Sequence, residues 1–172
     1  MFSQCLLNSP TAFIECDNFS EYPAYEDKLF NIYNRLYESN DLYFNGMPVI
    51  MKHYPPDHGP KSGLYHLIYE NYEHTNDEQD RLPNLERCKR ITWSRTLIEY
   101  CLTKCSDLLI WENYRNNKTN TLLFCPELNY LVVLGHRNGY YLLITAYPVQ
   151  YEHRRAKLLK EHFQYKQTTH PV

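Results

Sequence analysis

The chain of 172 residues carries 18 basic and 20 acidic side chains, for a net charge of −2, and is 43% apolar and 15% aromatic, with 17 tyrosines. A chain of this size buries about 70% of the surface its unfolded form exposes, enough to fold without a metal or disulfide staple. Five glycines and ten prolines exclude a collagen-like or low-complexity chain, and the near-neutral sum excludes a uniformly basic nucleic-acid coat.

That sum conceals a segregation. Residues 1–80 hold four basic side chains (Lys28, Arg35, Lys52, Lys61) against 13 acidic ones, a balance of −9, while residues 81–172 hold 14 basic against seven acidic, a balance of +7. Two readings follow: a cationic C-terminal half that faces phosphate beside an acidic half that guards, inserts or mimics, or two halves that attract each other within one fold. The start Met1 to Leu7 lacks the basic segment of a signal peptide, and no apolar run approaches the length of a membrane span, so the expectation is a cytoplasmic protein with no membrane contact. Cys5, Cys16, Cys88, Cys101, Cys105 and Cys125 are scattered, as suits reduced thiols filling a core.

In chain order, Leu29, Ile32, Tyr33 and Leu36 recur at helical spacing and predict a helix from Tyr25 to Tyr37, ended at Asn40-Asp41. Asn45-Gly46 signals a turn before Met47–Met51, read as an edge strand because Pro48 cannot donate to a ladder. A loop over Pro55–Pro60 follows. Leu64–Tyr69 fits a short strand or one helical turn, and periodicity does not decide between them. A helical segment is expected around Arg95–Leu102. Four strand-like runs then follow, Leu108–Trp111, Thr121–Phe124, Tyr130–Leu134 and Tyr140–Thr145, separated by short polar stretches that favour hairpins. Pro148 closes the last, and Tyr151–Tyr165 resumes helical spacing with Arg154, Arg155, Lys157 and Lys160 on its outer side. The expected architecture is α+β: an acidic helical annex over 1–45, then a domain over 46–172 whose four-stranded antiparallel meander is packed by N-terminal and C-terminal helices.

Few chemistries suit these residues. Cys101 and Cys105, with Cys88 upstream and His53, His58, His66 and His74 available, form one loose pair where structural zinc uses two tight ones, so no metal or other cofactor is expected. Phosphate-binding glycine loops and nucleophile elbows are absent. The remaining set suits metal-free phosphodiester cleavage, which needs a proton acceptor, a proton donor and cations around the phosphate. Arg115, Lys118, His136, Arg137, Thr145 and Tyr147 come from the meander and its turns, and His66 from an aromatic segment upstream.

The run Gly139-Tyr140-Tyr141-Leu142-Leu143-Ile144-Thr145-Ala146-Tyr147-Pro148, following the Tyr130–Leu134 strand, resembles the closing strands of the barnase–EndoU–colicin–RelE superfamily of compact RNases, above all its phage and prophage members. Leu64–Leu67 and Arg81–Ile91 are similar to segments of such proteins, and the resemblance covers about residues 46–165. It implies a metal-independent endoribonuclease of the phage or prophage toxin type, with RNA as substrate and an antitoxin or host protein as partner. It also implies catalytic roles for His66 as acid or base, Thr145 and Tyr147 as hydroxyls of the closing strand, and Arg115 or Lys118 as cations on the phosphate. Arg90, Arg137, Arg154 and Arg155 are the candidate RNA contacts. The second acid or base stays open, with His136 in a turn and His53 at a strand edge.

Each residue also has a plain structural reading. His66 suits a half-buried position, Trp93 and Trp111 suit core anchors, and the basic stripe over residues 154–160 suits a solvated helix face. Thr145 favours strands wherever they occur. The rival to an enzyme is a non-catalytic interaction protein of phage or prophage type whose acidic half binds a host protein.

Overall fold

The computed structural model describes residues 13–16, 18–39, 41–54, 56–71, 80–101 and 108–169. Helix α1 (Tyr22–Tyr37) opens with a proline in its first turn, where the missing N–H costs nothing. It buries Tyr25, Leu29, Tyr33 and Tyr37, one residue per turn on one face. Strands β1 (Tyr43–Phe44) and β2 (Met47–Met51) form a hairpin around Asn45 and Gly46, both at positive φ (49° and 77°), as a two-residue turn matched to strand twist requires. The undecided segment is a helix, α2 (Ser62–Ile68), which runs directly into β3 (Tyr69–Asn71). β3 pairs with β4 (Arg81–Pro83) in a small antiparallel sheet. Helix α3 (Leu85–Cys88) is capped by the Asn84 side chain, which accepts the Arg87 N–H. Helix α4 (Trp93–Cys101) precedes β5 (Leu109–Arg115), β6 (Lys118–Cys125), β7 (Tyr130–Arg137) and β8 (Tyr140–Pro148), and α5 (Glu152–Thr169) ends the described chain.

The chain is α+β, but the expected meander is only part of its main sheet. That sheet has six strands in the order β1-β2-β8-β7-β6-β5, and it is mixed: β5 to β8 are antiparallel neighbours, while β2 runs parallel to β8 through Val49↔Tyr141, Ile50↔Leu142 and Met51↔Leu143. The edge position expected for Met47–Met51 is thereby corrected. Pro48 lies opposite Tyr43 of the two-residue β1, upstream of the stretch that pairs with β8, so its missing donor leaves the parallel ladder intact.

Helices cover both faces. On one, Leu123, Val132, Leu134, Tyr141 and Leu143 share a core with Leu29 and Tyr33 of α1, Leu64 and Ile68 of α2, and Leu97 and Ile98 of α4. α1 falls within the expected acidic annex, yet its apolar face belongs to this core. On the other face, Trp111, Leu122, Phe124 and Leu131 pack under Leu158, Leu159 and Tyr165 of α5. Two covered faces explain why Leu122-Leu123-Phe124 reads as an unbroken apolar run rather than an alternating one.

Candidate functional site

The pairing of β2 with β8 ends at Leu143, and there β8 changes register. Val133 faces Thr145, whereas Leu134 faces Leu143, so Ile144 is an extra residue in a β-bulge. Bulges redirect side chains and release ladder groups. The Ile144 carbonyl is met by the imidazole Nε2 of His66 at 2.7 Å. A carbonyl only accepts, so this nitrogen carries the proton, and the Nδ1 of the same ring is buried. His66 therefore reaches the closing strand, but through its backbone.

Downstream of the bulge no described strand pairs with the outer edge of β8, and β3, α3 and the start of α5 border it instead. A cleft of about 590 Å³ lies there, lined by Glu70, Asn84, Arg87, Thr145, Tyr147, Tyr151, His153 and Arg154 among others. Tyr147 is one of its walls. The Arg87 guanidinium stands over its ring, 5.3 Å from the centroid, and the Arg154 Nη2–H points at its hydroxyl at 3.4 Å. Arg87 is also held by Glu70 at 3.4 Å, and Glu70 accepts from the Asn84 amide at 2.6 Å. Because Asn84 caps α3, that short helix fixes both Glu70 and Arg87. His153 stacks on Tyr151, with centroids 5.6 Å apart. The volume lies within the usual range for a small-ligand pocket.

Three of the sequence-predicted residues, Thr145, Tyr147 and Arg154, thus line one cleft. Arg115 lines a smaller cavity on the α5 face of the sheet, and Lys118 is its cross-strand partner. His66 is not among the lining residues of either. Arg90 is held by Glu86 at 2.5 Å and packs over Phe13 and Trp93, so it serves the core's rim. Arg137 donates to the His136 carbonyl at 2.6 Å. Arg155 donates to Asn129 at 2.9 Å and thereby ties α5 to the β6–β7 turn. His136, a candidate for the second acid or base, bonds Thr121 at 2.7 Å and stands 3.4 Å from Glu112; neither of these is a cleft residue.

Glu70, Asn84, Arg87, Tyr151 and His153 also line the cleft and are not among the candidates the sequence offers. Arg87 lay within the Arg81–Ile91 segment that carried the resemblance, and His153 adjoins the basic stripe. Asn84 lay within the same segment as Arg87, whereas Glu70 had no signal, because only the β3–β4 pairing brings it beside Asn84 and β8.

Cys105 and His74, two of the metal candidates, lie outside the described residues, and among the described residues no group of three or more His, Cys, Asp or Glu side chains could hold a metal ion. No described helix is long and apolar enough to cross a membrane. No family model, no curated protein and no solved structure matches this chain.

Proposed function

We propose that the Tyr147 cleft binds a phosphodiester of single-stranded RNA and that the protein is a metal-independent endoribonuclease acting there. The observation that carries this reading is the placement of two guanidinium groups from separate elements, Arg87 and Arg154, on the ring and hydroxyl of one tyrosine. Guanidinium groups match phosphate oxygens in pairs, and tyrosine offers both a donor and a face on which a base can stack.

Proton transfer in this reading falls to the titratable side chains that line the cleft, Glu70 and His153, rather than to His66. The Glu70 carboxylate takes the ribose 2′-hydroxyl proton as O2′ bonds to phosphorus. The bond from phosphorus to O5′ breaks, and His153 supplies the proton that O5′ needs. The products are a 2′,3′-cyclic phosphate and a 5′-hydroxyl, and Arg87 and Arg154 hold the charge that builds on the equatorial oxygens.

The test is cleavage of a labelled RNA by the full chain in EDTA, beside the same sequence in deoxyribose form. RNA is cut and the deoxy strand is not; His153→Ala and Glu70→Gln each lower the rate by about two to four orders of magnitude, the range for a proton-transfer group. Equal cutting of both strands, or full activity in the Arg87→Ala variant, overturns the proposal.

A further inference from the structure

The smaller cavity adjoins the first cleft, since Tyr147 and Arg154 line both. Its volume is about 90 Å³ and its floor is Leu122, Leu131 and Val133, while its charged lining is Arg115, Arg154 and Lys157 against Glu161 alone. Glu161 is already engaged: its Oε1 accepts from Trp111 Nε1–H at 3.1 Å and from Asn113 Nδ2–H at 2.6 Å, and its Oε2 from Arg115 at 3.3 Å. The carboxylate thus anchors α5 to β5 and steadies the Arg115 guanidinium, which remains 56% exposed. One of the five N–H donors of that group is used on Glu161. Lys118 stands directly opposite Arg115 in the β5–β6 register, so both side chains leave the same face of the sheet.

We infer that this cavity is a second phosphate subsite, so that the protein takes an RNA strand through two consecutive phosphates, laid along α5 from Arg87 past Arg154 to Arg115 and Lys157. The inference rests on the reading of the Tyr147 cleft as a phosphodiester site and specifies its substrate: an oligonucleotide of at least three nucleotides, not a mononucleotide or dinucleotide. Arg154 is the shared cation, and the Tyr147 ring is the wall between the two positions. Each phosphate then meets cations from two elements, α3 and α5 at the first, β5 and α5 at the second.

The experiment is competition by unlabelled oligonucleotides against a labelled octanucleotide on the full chain. All of them are 2′-O-methylated to prevent cleavage, and a dinucleotide with one phosphate is compared with a trinucleotide with two. In the native protein the trinucleotide binds about tenfold or more tightly than the dinucleotide, the size expected of one added charge-assisted contact. Lys157→Gln and Lys118→Gln, at exposed positions, shrink that ratio to about threefold or less, and Lys157→Arg restores it. Arg115→Gln acts in the same direction, and its thermal melt is recorded beside it because the side chain also holds Glu161. A length ratio that survives Lys157→Gln and Arg115→Gln overturns the second subsite while leaving the first cleft standing. Failure of both oligonucleotides to compete, or competition unaffected by Arg87→Gln, removes the first cleft and the second with it.

Discussion

Tyr33 is fully buried, and its hydroxyl has no hydrogen-bond partner among the described residues. Burial pushes this phenol far above its ordinary range, since the charged form has nothing to solvate it. The same hydroxyl explains Gly63: a Cβ on that residue would stand 1.9 Å from the Tyr33 Oη and 2.7 Å from its Cζ. Glycine is required there for close approach rather than for a turn. Tyr33→Phe is expected to raise stability by about 1 kcal/mol, because it removes a buried polar group that gains nothing in return. Gly63→Ala is expected to lower it by about 1–3 kcal/mol through overpacking. In the double variant the Cζ contact persists, so the rescue is partial. Urea unfolding of the four proteins checks the cycle; a Tyr33→Phe variant less stable than the native chain would show that the hydroxyl is satisfied after all.

Helix α5 shows how an element joins packing to the site. Leu158 and Leu159 seat it on the sheet, Glu161 ties it to three β5 side chains, and its first turns supply His153, Arg154 and Lys157 to the two cavities. His162 is buried against Trp111, with ring centroids 5.6 Å apart, and burial, with Lys166 adding to it, holds its pKa below the ordinary 6.5. The unfolded chain therefore takes up the proton at a higher pH than the folded one. The stabilisation from neutral His162 is complete above pH 6.5 and is lost as the pH falls through that value toward the lower folded one. Melting temperatures at pH 7.5 and 5.5 should accordingly differ more for the native chain than for His162→Gln; equal differences would remove His162 as the cause.

The existence of α5 and of β5 to β8 was legible because each is a local pattern of apolar residues between polar turns. Asn45-Gly46 likewise encodes its hairpin locally. The parallel β2–β8 pairing was not legible, because it joins residues about ninety positions apart with no periodicity to mark it. The bulge at Ile144 was hidden for a related reason, since register is a property of two strands. His66 illustrates the limit at the site: its type suited acid–base chemistry, but its role depends on a carbonyl 78 residues away. Thr145, Tyr147 and Arg154 gathered in one cleft because all three flank the end of a single strand.

Across the whole molecule, the charge segregation of −9 and +7 is only partly consumed by the fold. Arg87 meets Glu70 at 3.4 Å and Arg95 meets Asp41 at 2.9 Å across the two halves, but Lys61 pairs with Glu26 and Asp27 inside the acidic half. Hydrogen bonds from Arg95 and Ser39 hold the Asp41 carboxyl down to about 2, yet Asp41 is exposed, and exposed ion pairs contribute little to stability. The cations at the two cavities are a different matter, because phosphate contacts release condensed counterions and their affinity depends on salt. Between 0.05 and 0.5 M NaCl the melting temperature should therefore shift by less than about 4 °C, equivalent to about 1 kcal/mol for a chain of this size. RNA affinity should fall by about 25-fold, from a log–log slope near −0.7 for each of two phosphates. Calorimetric melts and anisotropy titrations over the same salt series separate the two uses of charge. A steep loss of thermal stability would mean that the halves attract to hold the fold, whereas salt-insensitive RNA affinity would leave the basic cavities without their assigned ligand.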